Sequence, residues 1–174
     1  MCPKDFAIAY PSPLVPNCGA ALPPVAIRIF FAVMLSLITE IVAAKSGTPD
    51  YPLNHPDIEV EHIWANHFEE HKDDKFRDEA EFATTRNSIG DLLVLPKSFN
   101  ASYGDASYEI KVEQYFSQNI LAQTLNEKKY TNNPGFMSYK ESTKLPFKSY
   151  DKFNKDSISE RTQLYRLILE DNWK

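Results

Sequence analysis

The stretch that decides the fold reads VEHIW at residues 60–64 and continues, after a charged interval, as RNSIGDLLVLPKSFN at residues 86–100. Polar and apolar side chains alternate over residues 58–63, which predicts a half-buried β-strand with His62 at its end. Residues 92–95 form an uninterrupted apolar run closed by a proline, which is typical of a buried strand. The two runs therefore predict the strands of a small hairpin.

An acidic residue beside a histidine at a strand end, with asparagines downstream, can support phosphodiester hydrolysis. Glu61 offers a carboxylate oxygen to Mg²⁺, which needs few protein ligands because it keeps several waters. The imidazole of His62 titrates near neutrality and can take a proton from an attacking water. Asn87 and Asn100 can orient the imidazole or complete the metal shell. The same residues would also fit a surface glutamate beside a half-buried histidine.

The segments at residues 59–67, 86–100 and 101–125 resemble the GmrSD-type HNH endonuclease domain, which usually forms the C-terminal half of phage-defence restriction proteins. The resemblance covers residues 55–174. It implies an α+β fold, a mainly helical domain around a small ββα-metal (His-Me finger) hairpin-helix core. It also implies a metal-dependent endonuclease that hydrolyses DNA in phage defence, with Mg²⁺ as the expected cation and Mn²⁺ as the alternative.

The resemblance also assigns roles to individual residues. The implied site consists of the general base His62, the metal residues Glu61 and Asn100, and the catalytic Lys111 as a phosphate or transition-state contact. The positive charges of Arg86 and Lys97 make them predicted substrate-binding residues, and Asp91 is placed near the substrate with its role left open. The positively charged side chain of Lys111 or Arg86 can offset the negative charge that develops on the phosphate during hydrolysis.

One position departs from the family pattern. Many relatives have a Gly-Asn pair just before the second strand, whose Asn orients the histidine, whereas this chain has Gly90-Asp91. Either Asn87 takes over the orienting role, or Asp91 orients the imidazole by accepting its N–H, or the site is impaired. The interpretation that we favour is Asn87, which makes it part of the predicted catalytic set.

The net negative charge of the chain disfavours nucleic-acid binding, but the distribution of charged residues along the chain is compatible with it. The chain has 174 residues, 43% hydrophobic and 25% charged, which fits one soluble globular domain. The formal charge is −5, but residues 97–174 carry 12 basic and 10 acidic side chains, so this part can present a basic face to a phosphate backbone. The two cysteines lack zinc-site spacing, and we expect a reducing, cytoplasmic location.

Residues 25–44 form an apolar run of the length that spans a bilayer, about 20 residues. Arg28 and Glu40 would be costly in hydrocarbon, and no signal-peptide pattern precedes them. The run therefore predicts a buried or partner-facing helix and no membrane contact. Since such a helix needs cover on most sides, we expect either a homodimer or an upstream nucleotide-binding partner module.

The expected organisation has three segments. They are a proline-rich leader at residues 1–24, the apolar helix with its connecting loop at residues 25–54, and the nuclease domain at residues 55–174. The elements expected within the last are a helical insertion outside the core at residues 66–85, a loop at residues 97–106, a helix at residues 107–123, and a final helix opened by a capping box at residues 157–160.

The sequence also supports a second function. The alternative is a catalytically weak nucleic-acid-binding or regulatory domain that retains the nuclease fold. Asp91 in place of the usual Asn, the acidic N-terminal part and the absence of a nucleotide-binding motif in residues 1–54 favour this alternative.

Overall fold

The computed structural model describes residues 24–48, 57–74 and 76–173. The strands are β1 (Ile58–His62) and β2 (Leu92–Pro96). The α-helices are α1 (Pro24–Lys45), α2 (Glu79–Arg86), α3 (Lys97–Tyr103), α4 (Tyr108–Tyr115), α5 (Ile120–Gln123), α6 (Pro134–Thr143) and α7 (Lys155–Asn172). Short 3-10 helices lie at Phe68–Asp74, Ile89–Asp91 and Glu127–Tyr130. The leader predicted for residues 1–24 lies outside the described residues, apart from Pro24.

The two predicted strands are confirmed and pair with each other. They run antiparallel, with His62 opposite Leu92 and Ile58 opposite Pro96. The four apolar side chains that begin β2 are at most 2% exposed, because α1 and α3 pack against this strand. That burial accounts for the unbroken apolar run. A mainly helical chain around a two-stranded sheet makes the fold class α+β.

Helix α1 confirms the predicted apolar helix, and its C-terminal half lies in the core. Leu35, Ile38 and Val42 are fully buried and recur at helical spacing on one face. The N-terminal half extends past the core, so that Val33 is 60% exposed. By length and composition alone, Ala26–Lys45 could also cross a membrane, but core helices of soluble proteins pass the same test. Cytoplasmic location and the absence of membrane contact stay predictions.

Helix α7 packs against the 3-10 helix that precedes β2, and this contact requires a glycine. A Cβ atom at Gly90 would lie 2.0 Å from the Ile158 carbonyl oxygen and 2.5 Å from Thr162 Oγ1, so no larger residue fits without a shift of α7. Arg161, which is buried, donates from Nε to the Gly90 carbonyl at 3.1 Å. Helix α7 therefore fixes the backbone that leads into Asp91 and β2.

The prediction that residues 66–85 lie outside the core is wrong. Phe82 of α2 is 2% exposed, and its ring stacks on that of Trp64 at a centroid distance of 5.8 Å. Phe76 meets the Phe82 ring edge-on at 5.6 Å. This aromatic cluster docks α2 beside the end of β1. The high charge of the segment favoured a surface location, whereas its three aromatic side chains, Phe68, Phe76 and Phe82, become neighbours only in the fold.

Three other boundaries also differ from the prediction. Residues 97–106 contain helix α3, and the single helix expected over residues 107–123 is divided into α4 and α5. Helix α7 begins earlier than expected because Asn154 is its N-cap. The Asn154 side chain accepts from the Ser157 N–H at 3.0 Å, and Ser157 Oγ accepts from the Asn154 N–H at 3.2 Å, which is a reciprocal capping box.

Candidate active site

His62 is the last residue of β1, and its imidazole is oriented by Asn87. His62 Nε2 lies 3.0 Å from Asn87 Oδ1. Because an amide oxygen only accepts hydrogen bonds, this contact places the proton on Nε2 and leaves the lone pair on Nδ1. Asn87 is itself the C-cap of α2, and its backbone N–H bonds to the carbonyls of Ala83 and Thr85. The helix end therefore holds the orienting amide in place.

The electrostatic surroundings keep this imidazole neutral. Burial, followed by the positive charge of Arg86, lowers the pKa of His62 to about 4. Lys111 and Arg28 act in the same direction, whereas the bond to Asn87 raises the pKa. A histidine with this pKa is unprotonated at pH 7, so Nδ1 is available to accept a proton.

Arg86 is the last residue of α2 and lies beside this imidazole. It is partly buried, and its Nε donates to the Trp64 carbonyl at 3.1 Å. The bond ties the end of α2 to the segment just after β1. One arginine thus serves as a local anchor and as a cation next to His62.

Strand alternation sends Glu61 to the opposite side of β1, into the core. Glu61 and Lys111 are 2% and 0% exposed, and Lys111 Nζ donates to Glu61 Oε1 at 2.8 Å. The Tyr115 hydroxyl donates to the same oxygen at 3.1 Å. Lys111 Nζ also donates to the backbone carbonyls of His62 at 2.8 Å and Gly104 at 3.3 Å. The ammonium group of Lys111 is therefore surrounded by protein oxygens.

Asn100 and Lys97, both on α3, lie near the middle of β1. Asn100 Nδ2 donates to Glu59 Oε2 and to the Val60 carbonyl, each at 3.3 Å. Lys97 Nζ lies 3.8 Å from Glu59 Oε1 at the surface. Asn100 and Glu61, the two predicted metal residues, thus contact different groups. Among the residues that the structure describes, no group of three or more His, Cys, Asp or Glu side chains could hold a metal ion.

Asp91 is buried behind the site and does not contact the imidazole by any hydrogen bond that the structure shows. Its Oδ1 accepts from the Trp64 N–H at 3.1 Å, while Oδ2 has no hydrogen-bond partner among the described residues. Burial raises the pKa of Asp91 well above its usual range. The structure therefore brings Asn87, and not Asp91, to His62, which is the arrangement that the favoured interpretation requires.

Sequence reasoning missed two polar partners of the predicted residues. Tyr115, expected only as a core position, bonds Glu61, and its i, i+4 spacing from Lys111 on one helix was the available signal. Glu59, which contacts Asn100, had no such signal because the two residues are 41 positions apart.

The fold and the site together define a small α+β domain in which a neutral, oriented histidine stands at a strand end beside an arginine. The family model described as GmrSD restriction endonucleases, C-terminal domain, matches residues 27–166, and the chain belongs to this family. The match includes most of α1. Neither the comparison with curated proteins nor that with solved structures found a match. Family membership gives the chain a restriction-endonuclease-related role.

Proposed function

We propose that the protein is a metal-dependent, HNH-type endonuclease that hydrolyses phosphodiester bonds of DNA in phage defence. The observation that carries this proposal is the His62–Asn87 contact, which gives a neutral imidazole with its lone pair on Nδ1, under the influence of the positive charge of Arg86. The antiparallel pair of β1 and β2, followed directly by α3, supports a ββα core of the His-Me finger type in which α2 is inserted between the two strands. Membership of a restriction-endonuclease family supports DNA as the substrate.

In the proposed mechanism, His62 Nδ1 takes the proton of the attacking water. A phosphate bound near Arg86 would offset the positive charge that lowers the histidine pKa, so the imidazole becomes a stronger base when substrate is present. Asn87 Oδ1 accepts the Nε2 proton throughout and keeps the ring oriented. Lys111 supports the site indirectly, because its hydrogen bond to the His62 carbonyl fixes the backbone of the residue that acts as the base.

A divalent cation, Mg²⁺ or Mn²⁺, is part of the proposal, and it would polarise the scissile phosphate and stabilise the leaving oxygen. The donor types near α3 fit such a cation, since Asn100 supplies an amide oxygen and Glu59 a carboxylate next to it. Glu61, the carboxylate predicted from the sequence, fits less well, because Lys111 and Tyr115 both bind its Oε1.

The direct test is the nicking of supercoiled plasmid DNA by the purified protein. We expect open-circular product with Mg²⁺ or Mn²⁺ and none with EDTA. Glu59→Gln and Glu61→Gln variants, assayed over a range of Mn²⁺ concentrations, assign the metal carboxylate, because only loss of a ligand raises the Mn²⁺ concentration needed for half-maximal rate. Absence of nicking with every cation, together with retained DNA binding, would contradict the proposal.

That outcome would favour the second candidate, a catalytically weak nucleic-acid-binding or regulatory domain. The observation in its favour is the buried pairing of Glu61 with Lys111, which occupies a predicted metal ligand. We further propose that the protein is cytoplasmic and makes no contact with a membrane. A second copy of the chain or an upstream nucleotide-binding module would then cover the exposed part of α1. The exposed apolar side chains on α1 that such a partner would cover are Ile27, Ile29, Phe30 and Val33.

Removal of the orienting amide should impair the site. We expect Asn87→Ala to lower the nicking rate by about 10- to 100-fold, as is usual when a group that orients a catalytic histidine is lost. Because the Asn87 bond raises the His62 pKa, the acid limb of any residual activity should move to lower pH. Initial rates measured across pH for both proteins provide the check, and a wild-type rate would remove Asn87 from the mechanism.

Asp91→Asn is the matched variant, and it should leave the rate and the pH profile unchanged. It should also raise the thermal midpoint at neutral pH. When burial raises the pKa of a carboxyl group in the folded state, the folded protein loses stability as pH increases from the unfolded pKa toward the folded pKa of that group. Asparagine cannot ionise, so the variant avoids this loss. Differential scanning calorimetry at pH 4 and pH 7 tests this, since the gain should be larger at pH 7. A large fall in rate would place Asp91 in the catalytic site.

A further inference from the structure

Arg28 stands out among the charged residues of α1 because of the face on which it lies. Leu35 and Val42, seven and fourteen positions later, are fully buried on the face of α1 that packs into the core, where α1 contacts the hairpin, α5 and α7. A seven-residue spacing keeps side chains on nearly the same side of a helix, so Arg28 continues this face beyond the edge of the core. It therefore lies on the core-facing side of α1 and not on the outer, exposed face that carries Val33.

The charge of Arg28 is uncompensated in the described part of the chain. Its side chain is exposed and has neither an ion pair nor a hydrogen bond there, whereas Arg77 and Arg166 each pair with a glutamate. It also lies close enough to His62 for its charge to act on the imidazole. Arg86 acts on the same imidazole from α2, so cations from two helices converge on one histidine.

Lys111, the cation that the sequence suggested for the phosphate, has no exposed surface and is bound to protein oxygens. Among the described cations whose charge acts on His62, the two that are not fully buried are therefore arginines, Arg28 and Arg86. A guanidinium group offers several donors in a planar fork, which matches the oxygens of a phosphate.

We propose that Arg28 binds a backbone phosphate of DNA next to the phosphate positioned at His62 and Arg86, which makes the N-terminal half of α1 part of the substrate surface. This inference rests on the proposed function, because it takes the same substrate. Arg28 is a binding residue in this arrangement and takes no part in proton transfer.

The test is the salt dependence of binding to a short DNA duplex, measured by fluorescence anisotropy in EDTA so that no cleavage occurs. Each phosphate neutralised on duplex DNA contributes about 0.9 to the slope of log K against log salt concentration. Arg28→Ala should therefore reduce the slope by about 0.9, and Arg28→Lys should retain it because the charge is kept. Arg166→Ala, which removes an exposed arginine from α7, serves as the control and should keep the wild-type slope.

The outcomes separate this inference from the proposed function. A wild-type slope in Arg28→Ala, with wild-type nicking, overturns the role of Arg28 and leaves the nuclease intact. A reduced slope in a protein that binds DNA but never nicks it supports Arg28 and defeats the nuclease proposal. Where nicking occurs, Arg28→Ala should raise KM and leave kcat unchanged. A chain that binds no DNA overturns both, and a fall in kcat alone overturns the assignment of Arg28 to binding.

Discussion

Replacement of His62 by alanine should slow plasmid nicking by roughly 10²- to 10⁴-fold, the usual contribution of a positioned general base. The fold should persist, because the hydrogen bond that the structure shows for the His62 side chain goes to the exposed Asn87. Lys111 binds the backbone carbonyl of residue 62, which alanine retains. Initial nicking rates with Mg²⁺, together with circular dichroism and a thermal melt, measure both expectations.

His67→Ala is the matched control for this experiment. His67 lies five residues further along, is also half-buried, and its Nδ1 is 3.0 Å from Glu70 Oε1. It has no place in the proposed mechanism, so its removal should leave the nicking rate unchanged. Equal rates for His62→Ala and wild type, with an intact circular-dichroism spectrum, would show that another group activates the water.

Replacement of Lys111 by alanine should lower the free energy of unfolding by about 3–5 kcal/mol, which is the usual effect of removing one partner from a buried ion pair. Glu61 would remain buried with the Tyr115 hydroxyl as its neighbour and without its counter-charge. The carbonyls of His62 and Gly104 would lose a donor as well. Urea denaturation at constant pH gives the change, which is a large fraction of the stability of an ordinary domain.

Two further variants show whether a loss of stability in Lys111→Ala comes from the buried ion pair. Lys128→Ala removes a lysine whose ion pair with Glu113 is exposed, and it should cost less than about 1 kcal/mol. A double variant, Lys111→Met with Glu61→Gln, removes both charges together and should recover most of the lost stability. If Lys111→Ala and Lys128→Ala unfold at the same urea concentration, the buried ion pair does not stabilise the fold. That result would favour the role predicted from the sequence, in which Lys111 contacts the phosphate directly.

Local patterns were sufficient for the elements whose signal lies within a few residues. Alternation and an unbroken apolar run predicted β1 and β2, and the apolar run at residues 25–44 predicted α1. The segments around His62 also carried the family resemblance, which the match over residues 27–166 confirms. These features depend on side-chain periodicity and on spacing along the chain, both of which can be read from a single sequence.

Only the tertiary structure decided which polar groups meet. Glu61 and Lys111 are 50 residues apart, and His62 and Asn87 are 25 apart. Adjacent residues of a strand point to opposite faces. The dipeptide Glu61-His62 looked like one site, whereas Glu61 belongs to a buried ion pair and His62 carries a half-buried imidazole on the other face. Which face is buried depends on the helices that cover it, and no local pattern of charge or spacing contains that information.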